Sequence, residues 1–292
     1  MTSSKPLRGV CLILAAVFFF ALLDATTKQL AKTYPVTFIA WARYLLHGLL
    51  MAIILGPRMG RRLVLTARPG LNVLRSLMLV GTTCFAIAAF RTMPLAETSS
   101  VINISPLLVA LLAGPWLGEK VDRGHWLASA AGFLGVLLIA LPTGHGAPQF
   151  NALGLGFALL AAVSNTFYQM FTRQLSATEN TLTMLFYSAL VGFFAMTLTL
   201  PWAGPIHAPQ GNEAWLIAAT GVLGALGHFL LTAAFRYAPA SVISPFLYVQ
   251  LAWATLLGWL FFHHLPPWSA AAGMVVIAAS GLWLALRPRA KP

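Results

Sequence analysis

A chain of 292 residues that is 59% hydrophobic and only 8% charged is not a water-soluble domain, where charged residues usually make up about a quarter. Its mean hydropathy is +0.81. At roughly 20 apolar residues per helical span, ten crossings use about 200 residues and leave short loops, with no room for a soluble domain.

In chain order the apolar runs predict an all-α integral membrane protein. Its spans lie near 8–31, 35–55, 71–91, 95–117, 124–141, 151–173, 181–202, 213–235, 240–262 and 267–287. Helix is required because lipid offers the backbone no other partner, and the runs are too long for barrel strands. The first run lacks a small-x-small cleavage site and is expected to stay attached.

The net charge of +12 raises nucleic acid as a partner, and its distribution argues against one. With the N-terminus inside, fourteen of the eighteen Lys and Arg fall on the cytoplasmic side, Arg75 among them, while Lys28, Lys32 and Arg91 fall outside and Arg43 lies within a span. That is the positive-inside bias, which places both termini in the cytoplasm of an inner-membrane protein. The 56–70 loop is strongly basic and suits anionic headgroups. Trp116, Trp126, Trp202, Trp215 and Trp268 stand at span ends as interfacial anchors. Cys11 and Cys84 sit in apolar runs without metal or redox spacing and read as packing residues.

The chain repeats itself at an offset of 145 residues. Gly9 matches Gly154, Thr27-Lys28-Gln29-Leu30 matches Thr172-Arg173-Gln174-Leu175, and Ala89-Phe90-Arg91 matches Ala234-Phe235-Arg236. Pro94 matches Pro239, and Ala140-Leu141 matches Ala285-Leu286. Five crossings per copy is an odd number, so the second copy is inverted in the bilayer. Many alternating-access transporters are built in this way. The expected units are 1–146 and 147–292, meeting in the loop at 143–149.

Ionisable groups inside a membrane are costly and are functional candidates. Asp24 and Lys28 share a helix face at i, i+4 and can pair; Arg43 and His47 repeat the spacing. Asp24 could hold a substrate ammonium, carry a proton, or be neutralised by Lys28 or Arg43 for packing alone. Lys28 and its counterpart Arg173 reach carbonyls or headgroups, or act in gating or substrate attraction. Ser99, Ser100, Asn103, Asn165, Tyr168, Gln169, His228, Tyr248, Gln250 and Trp253 fall near mid-depth. Their amides, hydroxyls and rings suit a zwitterion with an apolar or aromatic side chain, although interhelical hydrogen bonding accounts for any one of them. Pro106 and Pro245 remove a backbone bond in equivalent spans and form either a hinge pair or static kinks.

The stretch Ala89–Leu141 has a short loop after span three, small polar residues, a proline in span four, Gly-Glu at its far end and a Gly-rich fifth span. It resembles the C-terminal part of an EamA domain. The second copy, Ala234–Leu286, begins alike (AFRYAPASVISP) but has His264 in place of Glu119. The chain is therefore similar to two EamA repeats of the drug/metabolite transporter superfamily, and within it to the YddG-type bacterial aromatic amino-acid exporters. That likeness implies a central cavity lined mainly by spans one, three, four, six, eight and nine, and no cofactor. The expected function is export of amino acids, aromatic or bulky apolar, by a single chain in the lipid bilayer. Drugs, purines or other metabolites are the near alternative. A membrane enzyme is the remote one, since no nucleophile motif, acidic metal cluster or phosphate loop is present.

Overall fold

The computed structural model describes residues 6–117, 123–140, 151–175, 178–237 and 246–286; Pro245, Glu119 and the 143–149 loop lie outside them. All regular elements among the described residues are helical. They are α1 (Pro6–Leu30), α2 (Val36–Met59), α3 (Pro69–Thr92), α4 (Leu95–Ile102), α5 (Ser105–Leu117) and α6 (Arg123–Ala140). In the second half follow α7 (Ala152–Leu175), α8 (Thr181–Thr199), α9 (Glu213–Tyr237), α10 (Val249–Phe262) and α11 (Trp268–Leu286). Six of these, α1, α2, α3, α7, α8 and α9, are long and apolar enough to cross a membrane, and the rest form shorter apolar spans.

Starts and stops follow local chemistry. Proline, which has no N–H to lose, stands at the head of α3 and just before α2 and α4. Asn180 caps α8, its Oδ1 accepting from the Leu182 amide at 2.9 Å. Helix α2 runs further than its apolar stretch predicts, to Met59 with Pro57 in its last turn, and a 3-10 turn Gly60–Leu63 follows. Proline so near the end removes only a terminal bond, so the basic loop expected from residue 56 is shortened.

Span four is interrupted, not merely bent. α4 stops at Ile102, Asn103 takes the capping position and α5 starts at Ser105. Pro106 cannot bond the Ile102 carbonyl, and the Ser105 hydroxyl donates to it instead at 2.6 Å. In the second half a turn at Tyr248, the counterpart of Asn103, precedes α10 in the same way.

The two halves are inverted. Repeat-equivalent helices α2 and α8 lie side by side with Trp41 bonded to Thr197, a Cβ at Gly192 meeting the Tyr44 ring, and one at Gly48 meeting Ala189. As one helix advances the other retreats, so they run antiparallel. The equivalent helices α6 and α11 do the same: Cβ atoms at Gly135 and Gly273 would each strike the other's carbonyl oxygen. Glycine is needed there for backbone-to-backbone contact, the main attraction between helices in lipid. The remaining pairings exchange in the same sense, α1 packing on α9 as α7 packs on α3.

Loops clasp the ends symmetrically. Tyr34 donates to Glu213 Oε2 at 2.8 Å at one end. At the other, Glu179 Oε1 accepts from the amides of Ala67 and Arg68 at 2.9 and 3.1 Å. Tyr34 and Glu179, like Arg68 and Glu213, are 145 residues apart. Large apolar side chains, including the five span-end tryptophans, cover the outside; in lipid such a surface is the stable one.

Candidate functional site

Helices α1, α2, α4, α9 and α10 bring polar side chains together well inside the bundle. Asp24 of α1 accepts from Gln250 Nε2 of α10 at 3.1 Å. Ser99 of α4 faces the same carboxyl, and its buried Oγ makes no hydrogen bond within 3.5 Å among the described residues. Arg43 of α2 lies within electrostatic reach of Asp24 and runs beside Gly224 of α9, where a Cβ would stand 3.6 Å from Nε. Among the described residues the Arg43 guanidinium makes no hydrogen bond. Ring contacts join the same helices. Trp253 meets Phe18 edge-on at 4.8 Å, and His228 meets Phe20 at 5.0 Å and stacks on His47 at 6.1 Å.

Asp24 and Lys28, one turn apart, turn to different partners. Asp24 reaches across to α10, while Lys28 Nζ donates to the carbonyls of Phe90 and Met93 at 2.7 and 2.6 Å. Those carbonyls end α3 and have no helical partner, so a cation satisfies them well. Close by, Glu97 Oε1 meets His264 Nε2 at 2.9 Å.

A second knot lies toward the opposite end, in the half-interface of α3, α7 and α8. Arg75, only 1% exposed, donates to Thr172 Oγ1 at 2.7 Å, to the Met184 carbonyl and Ser188 Oγ at 2.9 Å, and to Tyr168 Oη at 3.0 Å. It also lies over the Tyr168 ring. Tyr168 is therefore part of an arginine cage. Asn165 and Gln169 stand half-buried on the same face of α7, and Arg173 is exposed in its last turn.

Two expected site residues stand elsewhere. Tyr248 is 7% exposed in the packed core around α4, α7 and α11, its ring against Gly281, and is not joined to the Asp24 set. Asn103 closes α4, Nδ2 donating to the Ser99 carbonyl at 2.9 Å. Arg75 and Glu97 are the residues that sequence reasoning missed. Arg75 resembles a loop charge near the start of a span, and only packing shows it buried. Glu97 carried a signal, since it is an acid inside an apolar run.

An open depression of about 630 Å³ lies at the loop end farthest from Lys28, among Arg58, Arg62, Thr66, Glu179 and Thr183. It is a feature of the loops, apart from the Asp24 set. Among the described residues no three His, Cys, Asp or Glu gather to hold a metal ion.

Comparison with known proteins bears on the same helices. Residues 7–141 and 152–286 each match the model of the EamA-like transporter family. A riboflavin transporter of Vibrio cholerae is 28% identical over 94% of this chain and 92% of its own length. The pseudopaline exporter CntI of Pseudomonas aeruginosa is 29% identical over 93% and 94%. An S-adenosylmethionine uptake transporter of Rickettsia prowazekii is 27% identical over 95% and 92%. A crystal structure with 21% identity superposes at a TM-score of 0.66, covering 95% of this chain and 97% of the other, and shares the fold.

Proposed function

Because this chain belongs to the EamA-like transporter family of the drug/metabolite transporter superfamily and is a multi-pass membrane transporter, we propose that it carries a ring-bearing zwitterion between its inverted halves. The halves are the repeats 1–146 and 147–292, which rock about the Asp24–Arg43 set so that the site faces each side in turn. One chain suffices, seated in the inner membrane with both ends cytoplasmic, as the distribution of Lys and Arg supports.

The observation that carries this reading is an acid and a base within electrostatic reach of each other, with bonding capacity to spare. Asp24 and Arg43 stand on α1 and α2, which both pack on α9, and among the described residues the Arg43 guanidinium makes no hydrogen bond. An ammonium fits the first, with Gln250 orienting it, and a carboxylate fits the second, which offers a planar fork. The rings of Phe18, Trp253, Phe20 and His228 give flat apolar area for the rest of the solute. Aromatic amino acids are the simplest solutes of this kind, and export is the direction taken over from the resemblance to their exporters. The relatives named for riboflavin and S-adenosylmethionine favour a wider reading, since both compounds carry a heteroaromatic ring and the second also an amino-acid end.

Reconstituted protein should move tryptophan, phenylalanine or S-adenosylmethionine across liposomes, and Asp24→Asn or Arg43→Gln should stop it, whereas movement of riboflavin alone, which carries neither charged group, would reject the zwitterion. Equal transport by both variants would remove the charge pair from the site. Failure to move any of the four would reject the substrate class.

A further inference from the structure

The depression at the loop end farthest from Lys28 is built from both halves. The first half supplies Arg58 in the last turn of α2 and Arg62 in the 3-10 turn that follows. The second supplies Thr178, Asn180 and the first residues of α8. Its volume of about 630 Å³ falls within the range of small-molecule sites, roughly 300–1,000 Å³.

The walls are held by contacts that spare the two guanidinium groups. Thr183 Oγ1 and Tyr187 Oη of α8 donate to the carbonyls of Arg62 and Val64 at 3.0 and 3.1 Å. Glu179 Oε1 accepts from the amides of Ala67 and Arg68. The loop is thus fixed through its backbone. The side chains of Arg58 and Arg62 are exposed and make no hydrogen bond or ion pair among the described residues.

The charge here is positive. Glu179 is the acid among the described lining residues, and two amides already share its charge. Arg61 and Arg68 stand in the same connection, and the sequence has no acid between Asp24 and Glu97. The start of α8 adds the positive end of a helix dipole. An anion with several oxygens fits such a place, because an arginine fork meets two phosphate oxygens at once.

The apolar surroundings choose between a dissolved anion and a lipid. Leu65, which lines the depression, is exposed, as are Val64 beside it and Ile54, one turn before Arg58 on α2. A soluble phosphate ester gains nothing from these side chains, whereas acyl chains cover them.

We propose that the depression binds the headgroup of an anionic phospholipid, with Arg58 and Arg62 on its phosphodiester and the acyl chains along the outer face of α2. The site is independent of the solute carried. Because its two sides belong to different halves, a bound headgroup ties the α2–α3 connection to the α7–α8 connection and strengthens the clasp that Glu179 makes there. A membrane rich in such lipids therefore favours the arrangement in which this end is clasped.

Purified protein in detergent tests this, titrated with phosphatidylglycerol, with phosphatidylcholine of the same chains, and with glycerol 3-phosphate. Bound lipid is counted by native mass spectrometry, and the thermal midpoint is followed in parallel, since a ligand of the folded state raises it. Phosphatidylglycerol should bind more tightly than phosphatidylcholine and raise the midpoint, and glycerol 3-phosphate should do neither. The double variant Arg58→Gln/Arg62→Gln should lose roughly thirtyfold in affinity for phosphatidylglycerol, the scale of two basic residues at an anionic surface. Arg61→Gln/Arg68→Gln removes the same charge from the same connection outside the depression, and should keep most of that affinity. Equal losses in the two double variants would reduce the effect to diffuse attraction by the loop and overturn the site. Equal binding of the two lipids by the unaltered protein overturns it without recourse to any variant, and a midpoint raised as much by glycerol 3-phosphate overturns the lipid in favour of a soluble phosphate ester.

Discussion

Two arginines occupy repeat-equivalent interfaces from opposite sides. In the interface of α3, α7 and α8, Arg75 sits on α3 and donates to Ser188 of α8. In the interface of α9, α1 and α2, the counterpart of Arg75 is Thr220 and the counterpart of Ser188 is Arg43. Arg75 is enclosed, its donors taken up by Thr172, Tyr168, Met184 and Ser188. Arg43 is half-buried and makes no hydrogen bond among the described residues, while Thr220 turns back to the Ile217 carbonyl of its own helix at 2.7 Å. The same scaffold thus holds one arginine as a fastening and leaves the other with donors to spare for the solute proposed above. Thr27 records the difference. Its counterpart Thr172 receives Arg75, whereas Thr27 Oγ1 is buried without a partner among the described residues.

The comparison breaks first at Arg75. Arg75→Ala should strand several buried acceptors and cost about 3 kcal/mol, seen as a large fall in thermal midpoint in detergent. A loss below about 1 kcal/mol, little more than an ordinary surface change costs, would show that the cage is not structural. Arg43→Gln should do the reverse, leaving the midpoint nearly unchanged while transport drops on the order of a hundredfold, the scale of losing one member of a desolvated charge contact.

Smaller effects sharpen the contrast between the threonines. Thr172→Val should cost about 1.5 kcal/mol because it removes an acceptor from a charged donor. Thr27→Val should be neutral or slightly stabilising, since it removes an unpaired buried hydroxyl. Equal costs would mean that the two interfaces are alike after all. Trp253→Ala, which takes away the ring packed on Phe18, should weaken apparent affinity about fivefold, the scale of one aromatic contact, without altering the folded yield.

Much of the fold is legible in the sequence because lipid makes composition and length decisive. The 145-residue offset, the helical spans and the disruption near Pro106 all follow from local pattern. The site is less legible, because its contacts join distant positions. Nothing local pairs Glu97 with His264, 167 residues away. The i, i+4 spacing of Asp24 and Lys28 suggests an ion pair, but bare carbonyls at the end of α3 and an amide on α10 compete for those two side chains. The depth of Arg75 is likewise set by α7 and α8, which its own helix cannot reveal.

The antiparallel contact of α2 with α8 and of α6 with α11 has one more consequence. Each half is a distant copy of the other turned over, so under the rocking proposed above an exchange of bends between the two halves describes the geometry open to the opposite side.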